Sequence, residues 1–192
     1  FEGAGVRVTM TFLQAALPHD IDLVSSPLVY LSWEVASLDG KEHDASVYFD
    51  AGMELVVHEP SQEVVWSRKS IGDLEVLKAG SKQQNVLGRK GDNVRIDWGY
   101  FHLAAFKNEN MQSGIVRAGR SRMQFVGHGM IPATIEKKMP KRVEDGAPVM
   151  AMQFDLDAIG SRTAQSCYVL LAYDDLYSIR YFGRDLKAYW KR

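Results

Sequence analysis

The chain has 192 residues, 24 % charged and 46 % hydrophobic, with 16 Gly, 6 Pro and one Cys, which excludes disordered, collagenous and disulfide-stapled proteins. A chain of this size buries roughly two thirds of its unfolded surface, so one domain with its own core is expected. Lys plus Arg number 23 against 24 Asp plus Glu, a formal net charge of -1 with no global attraction to nucleic acid or anionic lipid.

Period-2 alternation, the mark of a strand with one buried face, runs through most of the chain. Val6, Val8, Met10 and Phe12 share one face while Arg7, Thr9 and Thr11 share the other. Val29, Leu31, Trp33 and Val35 alternate with Tyr30, Ser32 and Glu34; after LDGKEHD, Ala45, Val47 and Phe49 alternate with Ser46, Tyr48 and Asp50. Asp39-Gly40 supplies the positive φ of a tight connection, so these two runs are expected to pair as a hairpin. Met53, Leu55 and Val57 continue the alternation, and strands are expected at Val64 to Ser67, Leu74 to Leu77 and Val94 to Phe106. The last of these, VMAMQFDL (149–156) and CYVLLAY (167–173) are largely apolar on both faces, as strands covered on both sides are.

Helical periodicity is nearly absent: SKQQNVL (81–87) invites a turn or two and reads equally well as loop. EKKMPKR (136–142) is the one basic cluster, and Pro140 places it in a loop. Ten or more short strands, with turn signals about every 8 to 12 residues, predict an all-β fold: one large antiparallel two-sheet sandwich over residues 1–192. The single Cys167 excludes an internal disulfide, and the densest apolar stretch, Tyr168 to Tyr173, is far below the ~18 residues of a membrane span. The opening FEGAGVRV has neither an initiator Met nor a signal-like apolar block and reads as a cut edge.

Chemistry-bearing residues do not assemble into a signature. His19, His43, His58, His102 and His128 match no zinc spacing, and DLDAIG lacks the oxygen ligands of a calcium loop, so no metal or other cofactor is expected. Asp174 and Asp175 are neighbours at a strand end, where they point to opposite faces and cannot share a substrate. GAG (3–5) and GHG (127–129) lack the third glycine and following helix of a phosphate cradle and read as turns. There is no G-x-S-x-G elbow, and no catalytic residue is assigned.

The aromatics say more. Tyr173, Tyr177, Tyr181, Phe182, Tyr189 and Trp190 crowd the last 20 residues, and alternation puts Tyr177, Ile179 and Tyr181 on one strand face, Ser178, Arg180 and Phe182 on the other. Such rings serve as core, as anchors for a docked domain, or as sugar-stacking platforms. Tyr177, Arg180, Tyr181 and Trp190 are the candidate domain-interface residues, on a closing strand and exit over residues 174–192.

SSPLVYLSWEVASLDGKEHDASVYFD (25–50), VLGRKGDNVRIDWGYFHLAAF (86–106) and CYVLLAYDDLYSIRYFGRDLKAYWKR (167–192) together resemble the non-catalytic N-terminal region of the glutaminase A family, large secreted proteins of fungi and bacteria. The ordered set comprises a P-x-x-Y-L strand, the DGK-x-H-D connection, the I-D-W-G-Y segment and a Y-W-[KR]-R exit. The resemblance implies a β-sandwich preceding a helical α/α-toroid domain that carries out hydrolysis, so the expected partner is the chain's own C-terminal catalytic domain. It also implies a secreted or periplasmic location. The alternative is a carbohydrate-binding or accessory sandwich of a glycoside-hydrolase-like protein.

Overall fold

Alternating segments become strands wherever one face has something to pack against, and the computed structural model, which describes residues 1–160 and 163–192, follows this rule closely. β1 (Glu2–Gly3) and β2 (Val6–Leu13) form a hairpin; a short helix α1 (Ile21–Ser25), capped by the Asp20 carboxylate accepting from the Leu23 N–H at 2.9 Å, leads to β3 (Leu28–Ser37) and β4 (His43–Gly52). β5 (Glu63–Ile71) and β6 (Leu74–Ser81) form a second hairpin, followed by β7 (Tyr100–Phe106) and β8 (Met111–Val116). Helix α2 (Ala118–His128), β9 (Lys141–Arg142), β10 (Val149–Ile159), β11 (Gln165–Asp174), β12 (Ile179–Tyr181) and β13 (Arg184–Leu186) complete the chain.

The strands form an eight-stranded antiparallel sheet, in the order β1-β2-β3-β11-β7-β6-β5-β9, and a three-stranded sheet, β4-β10-β8. The all-β sandwich is therefore the fold. Its core lies between the sheets: Leu31, Trp33, Val35, Leu77, Leu103 and Val169 of the large sheet meet Ile115, Met150, Met152, Phe154 and Leu156 of the small one. The far face of the small sheet is closed by α2, where Phe125 stacks on Tyr48 at 5.1 Å beside Ile131, Val149 and Ala151. Covered on both faces, β10 is buried from Val149 to Phe154, in keeping with a sequence that is apolar there except for Gln153.

Several local expectations are corrected. β3 and β4 are not a hairpin: β3 pairs with β2 and β11, β4 with β10, and the turn between them crosses from one sheet to the other. Gly40 does take a positive φ of 76°, and Asp39 braces the turn by accepting from the Lys41 N–H at 3.0 Å. His43, read as a solvated loop residue, is half-buried with Nε2 2.8 Å from Asp39. Met53–Val56 is a 3-10 turn, whose three-residue period buries Met53 and Val56 and leaves Leu55 exposed.

Residues 94–99 are irregular, and the strand begins at Tyr100. Gly99, at φ 86°, lets the backbone pass where a Cβ would strike the Asp174 carbonyl. Residues 82–87 are loop, not helix. The GHG segment is not a turn: Gly127 and His128 end α2, and Gly129, at φ 67°, caps it by donating to the Phe125 carbonyl. Lys141 and Arg142, expected in a loop, pair with the edge of β5 as β9.

Candidate functional site

The segment after β11 does not close either sandwich sheet, as the expected closing strand would; β12 and β13 form a separate two-stranded hairpin. Its root is tied down. The Tyr173 hydroxyl donates to the Trp98 carbonyl at 2.9 Å, and Trp98 Nε1 donates to the Tyr177 carbonyl at 3.1 Å. Beyond the hairpin the chain turns back: the Lys191 ammonium bonds the Asp174 carboxylate and lies 3.8 Å from Asp175. Arg192 reaches Asp22 of α1 at 2.7 Å, so the two short helical turns, 21–25 and 189–191, sit together.

This corrects the reading of the aspartate pair. β11 ends at Asp174, so strand alternation no longer separates it from Asp175, and both face the same lysine. Burial would raise the Asp174 carboxyl, but the Lys191 ammonium and the Leu176 N–H hold it below the usual range. A carboxylate pair spanned by an ammonium is a structural clamp. On the adjacent outer face, burial and the nearby Lys78 charge pull His102 below its ordinary value, while the Lys78 ammonium sits 3.4 Å from the Tyr100 ring centroid.

The hairpin itself presents apolar surface. Arg180 grips Asp185 across it with bonds of 2.6 and 3.2 Å, and Tyr181 and Phe182 meet edge to face at 4.4 Å. Tyr181 is 58 % exposed and Phe182 89 % exposed, with Ile179 and Leu186 also exposed. Strands of three residues cannot bury these side chains among themselves. Ile21 and Val24 of α1, near the end of the same segment, are exposed too.

Of the four candidate interface residues, Arg180 and Tyr181 lie on the hairpin, whereas Tyr177 and Trp190 are half-buried at its root and exit. Phe182 does not continue the alternation: it occupies the hairpin turn at φ 45° and is the most exposed ring of the segment. Sequence reading placed it on a strand face and passed it over. Phe182-Gly183 between two alternating triplets was the available signal for a turn. Among the described residues, no three His, Cys, Asp or Glu side chains cluster as a metal site, and no helix is long and apolar enough to cross a membrane.

A family model described as a domain of unknown function, DUF5127, matches residues 1–192. Glutaminase A of Aspergillus oryzae (strain ATCC 42149 / RIB 40) is 24 % identical over 182 residues, covering 95 % of this chain and 26 % of that protein. The chain thus spans about a quarter of the length of this curated relative.

Proposed function

The chain belongs to the DUF5127 family, and from that premise we propose that it is a non-catalytic accessory sandwich of a larger, secreted or periplasmic glutaminase-related hydrolase. It corresponds to the N-terminal region of that protein and packs against the catalytic domain that follows. The observation that carries this reading is the exposed hairpin at residues 179–186, with its aromatic tip and Arg180 beside the chain exit. Exposed apolar surface of this kind marks a contact with another domain, and aromatic residues with Arg are the side chains that anchor such contacts. Similarity to a glutaminase of greater length supports a hydrolase as the whole protein.

The clamp formed by Lys191 with Asp174 and Asp175 fixes the direction in which the chain leaves the sandwich. The domain shapes one edge of its neighbour, and catalysis belongs to the neighbour. The test compares the 192-residue chain with the longer protein continuing past Arg192. Ammonia release from L-glutamine is expected from the longer protein only, with slower backbone hydrogen exchange over 179–186 than in the short chain. Ammonia release by the short chain, or equal exchange in both, would overturn the reading.

A further inference from the structure

A cleft of about 280 Å³ opens just before the start of β8. β8 begins at Met111, paired with Phe154, so β10 beyond that point has lost its ladder partner on one side; only the Asn110 carbonyl follows, accepting from the Asp155 N–H at 2.9 Å. The gap falls between β10 and the β7–β11 pair of the large sheet. Its floor is apolar, made by Phe154, Leu156 and Cys167. A β-bulge between Leu156 and Ile159, with Ala158 at φ 54° and its N–H donating to Asp44 at 3.1 Å, interrupts the alternation beside Asp157.

Two aromatic residues flank the mouth. The β7–β11 ladder ends at Leu170–Ala104, and beyond it Phe106 and Tyr168, each an even number of residues further on and so on the same sheet face, both line the cleft. Phe106 is 53 % exposed and Tyr168 38 % exposed. Polar groups line the rest, and they are amides, a hydroxyl and carboxylates. Asp155 is already engaged, accepting from Ser46 at 2.7 Å and Gln153 at 2.8 Å. Among the described residues no side-chain hydrogen bond occupies Asp157, Gln165 or the Asn110 amide.

Among the described residues the lining contains no Lys, Arg or His, so an anionic ligand would face carboxylates without a compensating charge there. Amides donate and accept while a carboxylate accepts from paired hydroxyls, and aromatic rings receive the C–H face of a saturated ring. We propose that this cleft is a binding site for a neutral carbohydrate, seating one sugar ring between Phe106 and Tyr168 with its hydroxyls on Asp157, Asn110 and Gln165. Its volume is at the lower end for small-molecule sites, which suits a single ring of a longer glycan. The site stands apart from the hairpin and does not depend on how that surface is used.

The experiment is calorimetric titration of the longer protein with cellotetraose, xylotetraose, mannotetraose and N-acetylchitotetraose, with zwitterionic L-glutamine and cationic spermidine as comparisons. At least one neutral oligosaccharide is expected to bind, with Kd raised roughly tenfold in Phe106→Ala and again in Gln165→Ala, at a half-buried position of the lining. Both side chains lie outside the core, so an unchanged melting temperature separates lost binding from lost folding. Failure of all four oligosaccharides, binding unaffected by both variants, or binding of spermidine alone would overturn the proposal.

Discussion

The two faces of the eight-stranded sheet share the same backbone and fare differently. On β3 and β11 the inward residues Leu31, Trp33, Val35, Cys167 and Val169 are buried, while outward Tyr30 and Tyr168 remain exposed and Leu170 is half-exposed. The apolar-on-both-sides sequence of β11 had implied cover on both faces; in this chain only one is covered. Even inward orientation does not ensure burial. Met10 and Phe12 pair with Trp33 and Leu31 and point the same way, yet Phe12 is 65 % exposed, because a three-stranded sheet covers only the middle of an eight-stranded one. Burial is set by the area of the opposing layer, and alternation alone carries no measure of that area.

This contrast can be broken most forcefully from the inside. Trp33→Ala removes a buried indole that packs against Phe49 at 5.8 Å and is expected to cost about 3–5 kcal/mol in urea unfolding. Val47→Ala, half-buried at the margin of the same core, should cost about 1–2 kcal/mol; equal losses at the two positions would show that the margin is packed as tightly as the centre.

A smaller effect is expected on the covered face of the small sheet, where Arg122 of α2 holds Asp50 through two bonds of 2.8 Å. Burial would raise the Asp50 carboxyl, but Arg122 and the Tyr48 hydroxyl hold it below its ordinary 3.8. A group lowered on folding stabilises above its unfolded pKa and loses that contribution as pH falls through the folded one. Arg122→Ala should therefore cost about 1 kcal/mol above pH 3.8, Arg122 being largely exposed, and the gap to wild type should close on acidification. A gap independent of pH would show that Arg122 acts through packing alone.

The smallest change belongs outside. Phe182→Ala should shift the stability of the 192-residue chain by no more than about 0.5 kcal/mol, since the ring is 89 % exposed. In the longer protein the same substitution should lower stability by more than that, and an equal, negligible shift in both would remove Phe182 from the docking surface.

Much of the site was legible in part. Aromatic crowding near the C-terminus pointed to residues 174–192, and Arg180 and Tyr181 do stand on the exposed hairpin. Phe182 was missed because alternation was extended one residue past a turn, and the clamp on Asp174 and Asp175 because Lys191 lies 17 residues from Asp174. α2 was missed for a different reason: Met123 and Val126 point to solvent while Phe125 packs inward, so no apolar stripe marks the helix. The sugar cleft draws Phe106, Asp157 and Gln165 from three strands, and no local spacing joins them.

By itself the sequence determined the fold class and most inward-facing residues, because a period of two is a local property of an extended chain and side chains must alternate. Tertiary structure alone decided which strands pair and which faces are covered. Asp39-Gly40 reverses the chain whether the next strand lies beside β3 or across the core from it, and the choice rests on β10 and β11, more than 100 residues away, which take up β4 and β3 respectively. The same long-range pairing starts β8 only at Met111 and leaves the cleft, so the gap proposed to hold a sugar is a consequence of register between strands.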